Sequence, residues 1–223
     1  MRMDLPAMDE WLAERCGMYT EWLDEGRIAY SSRVIPVGKS LPDRQWVLPT
    51  MQVNRIIADA GLIALTDCVC RTHYRRCDKP VSVCLLLDEF GQLFIDKGRA
   101  RMIGLEEAAA VLKQADENGL VHLSLYRPKH SLYALCSCCP CCCHDLQLLL
   151  RYRQSRLVAR ADYTAATDLA RCTNCGECVD CCPFGAREIV EGALHYQPER
   201  CYGCGLCVSA CPVEAIELKL RGE

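Results

Sequence analysis

The sequence has no long hydrophobic run, no large excess of either charge and no nucleotide-binding motif. Its first ten residues carry charges where an export signal needs an apolar core, and no later segment approaches the ~18 apolar residues of a membrane span. With 26 basic and 29 acidic residues the formal net charge is -3, so no basic patch is available for nucleic acid. Neither a Gly-x-Gly-x-x-Gly segment after a strand nor a phosphate loop is present. We therefore expect a cytoplasmic protein with no membrane span, nucleic-acid partner, flavin or nicotinamide.

Cysteine is what the sequence has in excess, with 20 among 223 residues. Disulfides, metal or cluster sites, and reactive thiols are the three possible uses of so many cysteines. Because the cytosol keeps thiols reduced, disulfides are the least favoured of these. Metal or cluster ligation is therefore predicted for most of the cysteines.

Hydrophobic periodicity predicts a mixture of helices and strands. Gly26 and the pair Asn118-Gly119 are typical helix stops, and a proline-rich connection follows the first helix. Helices are predicted at residues 8–25, 50–60, 104–118 and 145–163, and strands at 62–65, 81–87 and 121–126. The last helix is basic and is expected to join two domains, since the sequence changes character near Ala165.

The strongest signal is an internal repeat. The pattern Cys-x2-Cys-x2-Cys-x3-Cys-Pro occupies residues 172–183 and, with identical spacing, residues 201–212. Three thiolates at i, i+3 and i+6 can wrap one face of an iron–sulfur cubane, and the fourth thiolate must then come from elsewhere. Zinc sites also use Cys-x2-Cys pairs, but they rarely need a third evenly spaced cysteine or a Cys-Pro ending.

The repeat resembles the bacterial two-cluster [4Fe-4S] ferredoxins, in which the fourth cysteine of each copy binds the other cluster. The similarity covers about residues 168–218, including Phe184-Gly185-Ala186, a short hairpin near 190–196 and the closing 213–216. It implies two clusters, one held by Cys172, Cys175, Cys178 and Cys211, the other by Cys201, Cys204, Cys207 and Cys182. Cys181 has no role in this pattern; we interpret it as a buried bystander, with a spare ligand or redox-sensitive thiol as alternatives.

Removing these eight ligands from the 20 cysteines leaves 12, and ten of those lie in two groups. The candidate ligands for further clusters are Cys68, Cys70, Cys77, Cys84, Cys136, Cys138, Cys139, Cys141, Cys142 and Cys143. Several kinds of site remain open for these cysteines: two further cubanes, one cubane, a non-cubane cluster of the heterodisulfide reductase kind, or a zinc site of four thiolates. We expect one or two additional iron–sulfur clusters.

Successive side chains diverge, so the six-cysteine run from residue 136 to 143 is predicted to serve two sites, or one site plus bystanders. In the first group we rank Cys70 as the least suitable ligand. Three arginines crowd that group, namely Arg71, Arg75 and Arg76; they either raise a cluster potential or line a solvated loop. His73 could ligate iron or move a proton, but a lone histidine there is more often neither. Cys16 is interpreted as a packed small hydrophobe.

The full arrangement resembles largely uncharacterised 4Fe-4S binding proteins of anaerobes, which implies an iron–sulfur carrier and no substrate. The predicted fold is α+β, with a cysteine-rich domain of mixed helices and strands at residues 1–164 and a two-cluster ferredoxin domain at 165–223. We expect electron transfer to and from redox partner proteins, in an undetermined oligomeric state. The alternatives are an oxidoreductase with a catalytic N-terminal cluster and a thiol or metal redox sensor. Enzymatic activity is therefore left open.

Overall fold

A seven-stranded sheet and two small two-stranded sheets organise residues 7–36 and 56–222, which are the residues that the computed structural model describes. The helices are α1 Glu10–Asp24, α2 Val69–Tyr74, α3 Asp88–Asp96, α4 Leu105–Glu117, α5 His144–Leu150, α6 Glu177–Asp180 and α7 Leu206–Ala210. The strands are β1 Ser32–Ile35, β2 Ile63–Asp67, β3 Ser82–Leu87, β4 Ala100–Met102, β5 Val121–Arg127, β6 Ser131–Cys138, β7 Val158–Ala159, β8 Tyr163–Thr167, β9 Arg187–Val190, β10 Ala193–Tyr196 and β11 Ile216–Leu220. The chain therefore combines helices and strands, as the sequence predicts.

The large sheet has the strand order β4-β2-β3-β6-β5-β1-β7. Its neighbours pair antiparallel except β1 and β7, which run parallel. Alternate residues of β3 enter different cores: Leu86 packs on one side, whereas Leu85 and Leu87 pack on the other. The sheet is thus covered on both faces, and Cys84 of β3 and Cys138 of β6 are buried in it.

Most predicted elements of the first 130 residues are confirmed within two residues at each end, namely α1, β2, β3, α4 and β5. The predicted helix at 50–60 is only partly covered, because residues 56–59 are helical and residues 50–55 lie outside the described part of the chain. Two prolines of the predicted connection, Pro42 and Pro49, also lie outside it.

The predicted helix at 145–163 is wrong beyond its first turns. Helix α5 ends at Leu150. Arg153 adopts a left-handed conformation with φ of 57°, and a right-handed helix cannot continue through such a residue. The chain then turns back, so that Leu157 and Val158 are buried and Val158 pairs with β1. Leu157 thus precedes a short strand, and Val158 begins it, where the prediction had a continuous helix.

The C-terminal part consists of a β8–β11 pair, a β9–β10 hairpin and two short helices. The predicted hairpin near 190–196 is confirmed by the pairing of β9 with β10. This part packs on the rest of the chain, because Phe184, Tyr202 and Leu206 share one apolar core with Leu146 and Leu148 of α5. Strand β8 starts at Tyr163, two residues before the predicted domain boundary.

No helix within residues 7–36 and 56–222 has the length and apolar character needed to cross a bilayer.

Candidate metal centres

The eight cysteines of the repeat line two small cavities. One cavity is lined by Cys172, Cys175, Cys178 and Cys211. The other is lined by Cys182, Cys201, Cys204 and Cys207. Each cavity therefore contains the fourth cysteine of the other repeat. We call them the outer and the inner cavity, respectively, for the exposure of their thiols.

The two cavities differ in exposure. Cys175 of the outer cavity is exposed and Cys172 is half-buried, whereas Cys201, Cys204 and Cys207 of the inner cavity are all buried. The inner cavity also lies against the first domain, since Cys204 belongs to the same apolar core as helix α5. A group in the outer cavity is thus near solvent, and one in the inner cavity is shielded.

A buried arginine that the sequence reasoning missed lies between the two cavities. Arg187 is 3% exposed, and its Nη1 donates to Thr167 Oγ1 at 2.9 Å and lies 3.9 Å from Cys178 Sγ. Burial by itself lowers the pKa of Arg187, but the nearby sulfurs of Cys207 and Cys178 raise it above its usual value. Its Nη2 has no hydrogen-bond partner among the described residues. A buried, incompletely paired cation of this kind suits neighbours that carry negative charge.

Cys181 lines neither cavity. Its thiol is half-buried, lies 3.7 Å from the Cys178 carbonyl oxygen, and has a pKa raised to about 12, first of all by burial. Such a thiol stays protonated, which is consistent with the bystander interpretation.

Four of the ten remaining candidates form a compact group, which we call the tetrathiol group. Its Sγ atoms all lie within 4.8 Å of one another, and those of Cys77 and Cys139 are 3.7 Å apart. Cys77 follows α2, whereas the other members lie in the turn between β6 and α5, where the Cys142 and Cys143 amides donate to the Cys139 carbonyl. The members are Cys77, Cys139, Cys141 and Cys142.

The other six candidates form a second group, which we call the six-thiol group. The pKa of each thiol is shifted by interaction with two of the others, and these interactions close into a ring. In ring order the members are Cys68, Cys70, Cys143, Cys138, Cys136 and Cys84. Cys136 is half-buried and the other five are buried. All ten candidates are therefore divided between two groups of four and six.

The run from 136 to 143 is thus divided between the two groups, and that it serves two metal or cluster sites stays a prediction. Two details differ from expectation. Cys70 takes part in the six-thiol group as fully as Cys68, the N-cap of α2, because each interacts with two other thiols of the group. Cys141 and Cys142 share the tetrathiol group although they are adjacent, because the tight turn brings their side chains back together.

Arg71 connects the two groups. It is 2% exposed, donates to the Ser137 carbonyl from Nη2 at 2.8 Å, and places Nη1 3.9 Å from Cys139 Sγ. Burial lowers the pKa of Arg71, but the sulfurs of Cys68 and Cys139 raise it above its usual value. Its Nε is buried without a hydrogen-bond partner among the described residues. Of the three arginines named from the sequence, this one is buried against the thiols.

The other basic residues of the first group lie farther out. Arg75 is exposed in a left-handed conformation, and Arg76 stacks over Tyr74 at 4.0 Å while donating to the Cys141 carbonyl. His73 is exposed and stacks on Trp11 with ring centroids 4.7 Å apart. His73 is not a member of the tetrathiol group.

A different histidine, which the sequence reasoning did not single out, touches the six-thiol group. His144 Nδ1 lies 3.1 Å from Cys70 Sγ, and its Nε2 lies 3.0 Å from the Tyr19 hydroxyl and 3.1 Å from the Asp145 carboxylate. Burial lowers the pKa of His144, but the Asp145 carboxylate and the Cys143 sulfur more than offset this and raise it to about 9. Its position directly after Cys143 was the only signal in the sequence.

Comparison with protein families identifies the C-terminal part. A family model described as a 4Fe-4S dicluster domain matches residues 165–212, which span both cysteine repeats. No curated protein matches the chain. The chain therefore carries a 4Fe-4S domain and a cysteine-rich N-terminal region, whereas the wider resemblance to uncharacterised 4Fe-4S proteins stays a prediction.

Proposed function

We propose that the chain carries electrons one at a time through three iron–sulfur clusters, from a redox partner to an N-terminal cluster or in reverse. The observation that carries this proposal is the graded burial of the three cysteine sites. The outer cavity reaches the surface at Cys175, and the inner cavity is buried. Thiolate sets of four suit [4Fe-4S] clusters, so each cavity holds one cluster, with the crossed ligand sets named above.

The inner cavity is the relay toward the N-terminal region. Cys204 shares an apolar core with Cys138 and Cys143, which belong to the six-thiol group. The outer cavity has no member in this core, although Cys182 of the inner one packs against it. Electrons that enter at the surface therefore pass through the inner cluster before they reach the six-thiol group.

The six-thiol group is the site of the third cluster. Six thiol donors exceed the four that a single tetrahedral ion takes, so they suit a polynuclear centre. Buried Arg71 and His144 supply positive charge beside the ring, which would offset the negative charge of thiolates. Five of the six thiols are buried, which favours a relay over the catalytic alternative, since a substrate would need access to iron.

Iron counting and reduction kinetics test this function. Full-length protein purified without oxygen should contain about eight irons in the ferredoxin part and about four more in the six-thiol group. On mixing with dithionite, freeze-quenched paramagnetic resonance spectra should show reduction of the ferredoxin clusters before that of the third centre. In the Cys204→Ser variant, reduction of the third centre should slow at least about tenfold.

The matched control is Cys181→Ser, whose thiol lines neither cavity and which should leave the rates unchanged. A total of about eight irons would remove the third cluster from the proposal. If the third centre were reduced as fast in Cys204→Ser as in the unaltered protein, the inner cluster would not be the relay. The order of reduction in the unaltered protein decides the same question if the variant does not fold.

A further inference from the structure

The spacing of the tetrathiol group is that of ligands around one ion. A tetrahedral zinc with Zn–S bonds of about 2.3 Å separates its thiolate sulfurs by about 3.8 Å. The Cys77 and Cys139 sulfurs are 3.7 Å apart, and all four sulfurs lie within 4.8 Å of one another. A cubane spreads its thiolates farther, because each of them binds a different iron at a corner of the cube.

The ferredoxin part supplies an internal comparison. Within residues 7–36 and 56–222, no other set of three or more cysteine, histidine or acidic ligand atoms is packed within 4.8 Å. Neither the outer nor the inner cavity, both in the matched 4Fe-4S domain, therefore brings three of its thiols that close together. The same holds for the six-thiol group. The tetrathiol group therefore differs in kind from the three other cysteine sites.

We infer that Cys77, Cys139, Cys141 and Cys142 bind a single zinc ion in a closed structural site. Four cysteine ligands with no open position are typical of structural zinc. Four thiolates around Zn²⁺ leave a net charge of about -2, and Arg71 and Arg76 lie beside the group to offset it: Arg71 Nη1 is 3.9 Å from Cys139 Sγ, and Arg76 donates to the Cys141 carbonyl. Binding releases the thiol protons, since zinc takes thiolates.

The site has a clear structural consequence. It joins the segment after α2, through Cys77, to the turn between β6 and α5, across 62 residues of sequence. That turn is flanked by Cys138, the last residue of β6, and Cys143, the N-cap of α5, which both belong to the six-thiol group. The zinc would therefore fix two segments beside the six-thiol group relative to each other, without itself changing oxidation state. This inference does not depend on the proposed electron-transfer function.

The test is metal analysis of the full-length protein, produced with excess iron and purified without oxygen. One zinc per chain is expected beside the iron, and X-ray absorption at the zinc edge should show four sulfur neighbours at about 2.3 Å. The paired variants Cys139→Ser and Cys138→Ser alter adjacent residues that belong to different groups. Cys139→Ser should lose at least about nine-tenths of the zinc, whereas Cys138→Ser should keep it and lose iron.

About sixteen irons without zinc would overturn the inference and leave the electron-carrier proposal standing. Zinc with nitrogen or oxygen neighbours, or a single iron in its place, would overturn it too. One zinc beside only about eight irons would instead support the zinc site and contradict the third cluster. The absorption measurement on unaltered protein decides the matter if Cys139→Ser does not fold.

Discussion

Arg187 Nη1 lies 3.9 Å from Cys178 Sγ, inside the C-terminal part of the chain. The guanidinium also stacks over Tyr196 at 4.7 Å and is shielded from water. Cys207 of the inner cavity is close enough to raise the pKa of Arg187, so one cation faces both cavities. Arg71 has the same relation to the tetrathiol and six-thiol groups. Each pair of cysteine sites thus has one buried arginine between its members.

Replacing this cation should lower the reduction potentials of both ferredoxin clusters. A positive charge stabilises the more negative, reduced cluster, so Arg187→Leu is expected to lower both potentials by on the order of 50 mV. Redox titration followed by paramagnetic resonance measures the shift. Arg200→Leu is the matched control, since Arg200 is exposed and donates to the Gly185 carbonyl. Unchanged potentials in Arg187→Leu would contradict the charge argument.

Two adjacent cysteines should respond differently to serine. Cys182 lines the inner cavity with Cys201, Cys204 and Cys207, whereas Cys181 lines neither cavity. Cys182→Ser should therefore alter or remove the signal of the inner cluster and leave that of the outer cluster. Cys181→Ser should retain all iron. Two unchanged ferredoxin signals in Cys182→Ser would show that the crossed ligation is wrong.

A glycine at the inner cavity allows a close backbone approach. A Cβ at Gly203, where φ is +73°, would lie 2.2 Å from the Tyr163 carbonyl oxygen, whereas at Gly192, with φ of +80°, it would meet nothing within 4 Å. Both alanine variants carry a left-handed strain of about 1–2 kcal/mol, but only Gly203→Ala adds a clash with backbone. Gly203→Ala should lower the thermal unfolding temperature well below that of Gly192→Ala. Equal losses would mean that the loop shifts freely.

The buried pair of His144 and Asp145 is expected to contribute to the free energy of unfolding. His144→Leu leaves the Asp145 carboxylate buried, with Ser31 Oγ donating to it at 2.8 Å, and should cost about 3–5 kcal/mol. Anaerobic thermal unfolding measures the loss. His195→Leu, at an exposed position, should stay within about 0.5 kcal/mol of the unaltered protein.

A double variant separates charge from packing at this pair. Adding Asp145→Asn to His144→Leu removes the unpaired charge, so it should restore part of the lost stability. A double variant as unstable as His144→Leu would show that the loss comes from packing or from the contact with Cys70.

Much of the secondary structure was predictable, because local periodicity is enough to identify elements such as α4 and β5. The helix predicted across 145–163 failed because Leu157 and Val158 are apolar at spacings that suit either a helix face or a returning strand. Only the pairing of Val158 with Ser32, far away in the sequence, decides between them. Local pattern therefore fails where a long-range contact sets the conformation.

Two exact cysteine repeats are enough to predict an iron–sulfur domain, and the family model matched at residues 165–212 agrees. The sequence also supplied all the candidate thiols. The packing of the chain shows how ten further cysteines divide into groups of four and six, with Arg71 and His144 lying against those groups. It also shows that Arg187 lies against the cysteines of the repeat. These contacts join residues such as Cys77 and Cys139, 62 positions apart, so they depend on how β3, β6 and α2 pack. The spacing of cysteines along the chain predicts the kind of metal site, whereas packing decides which cysteines share one metal.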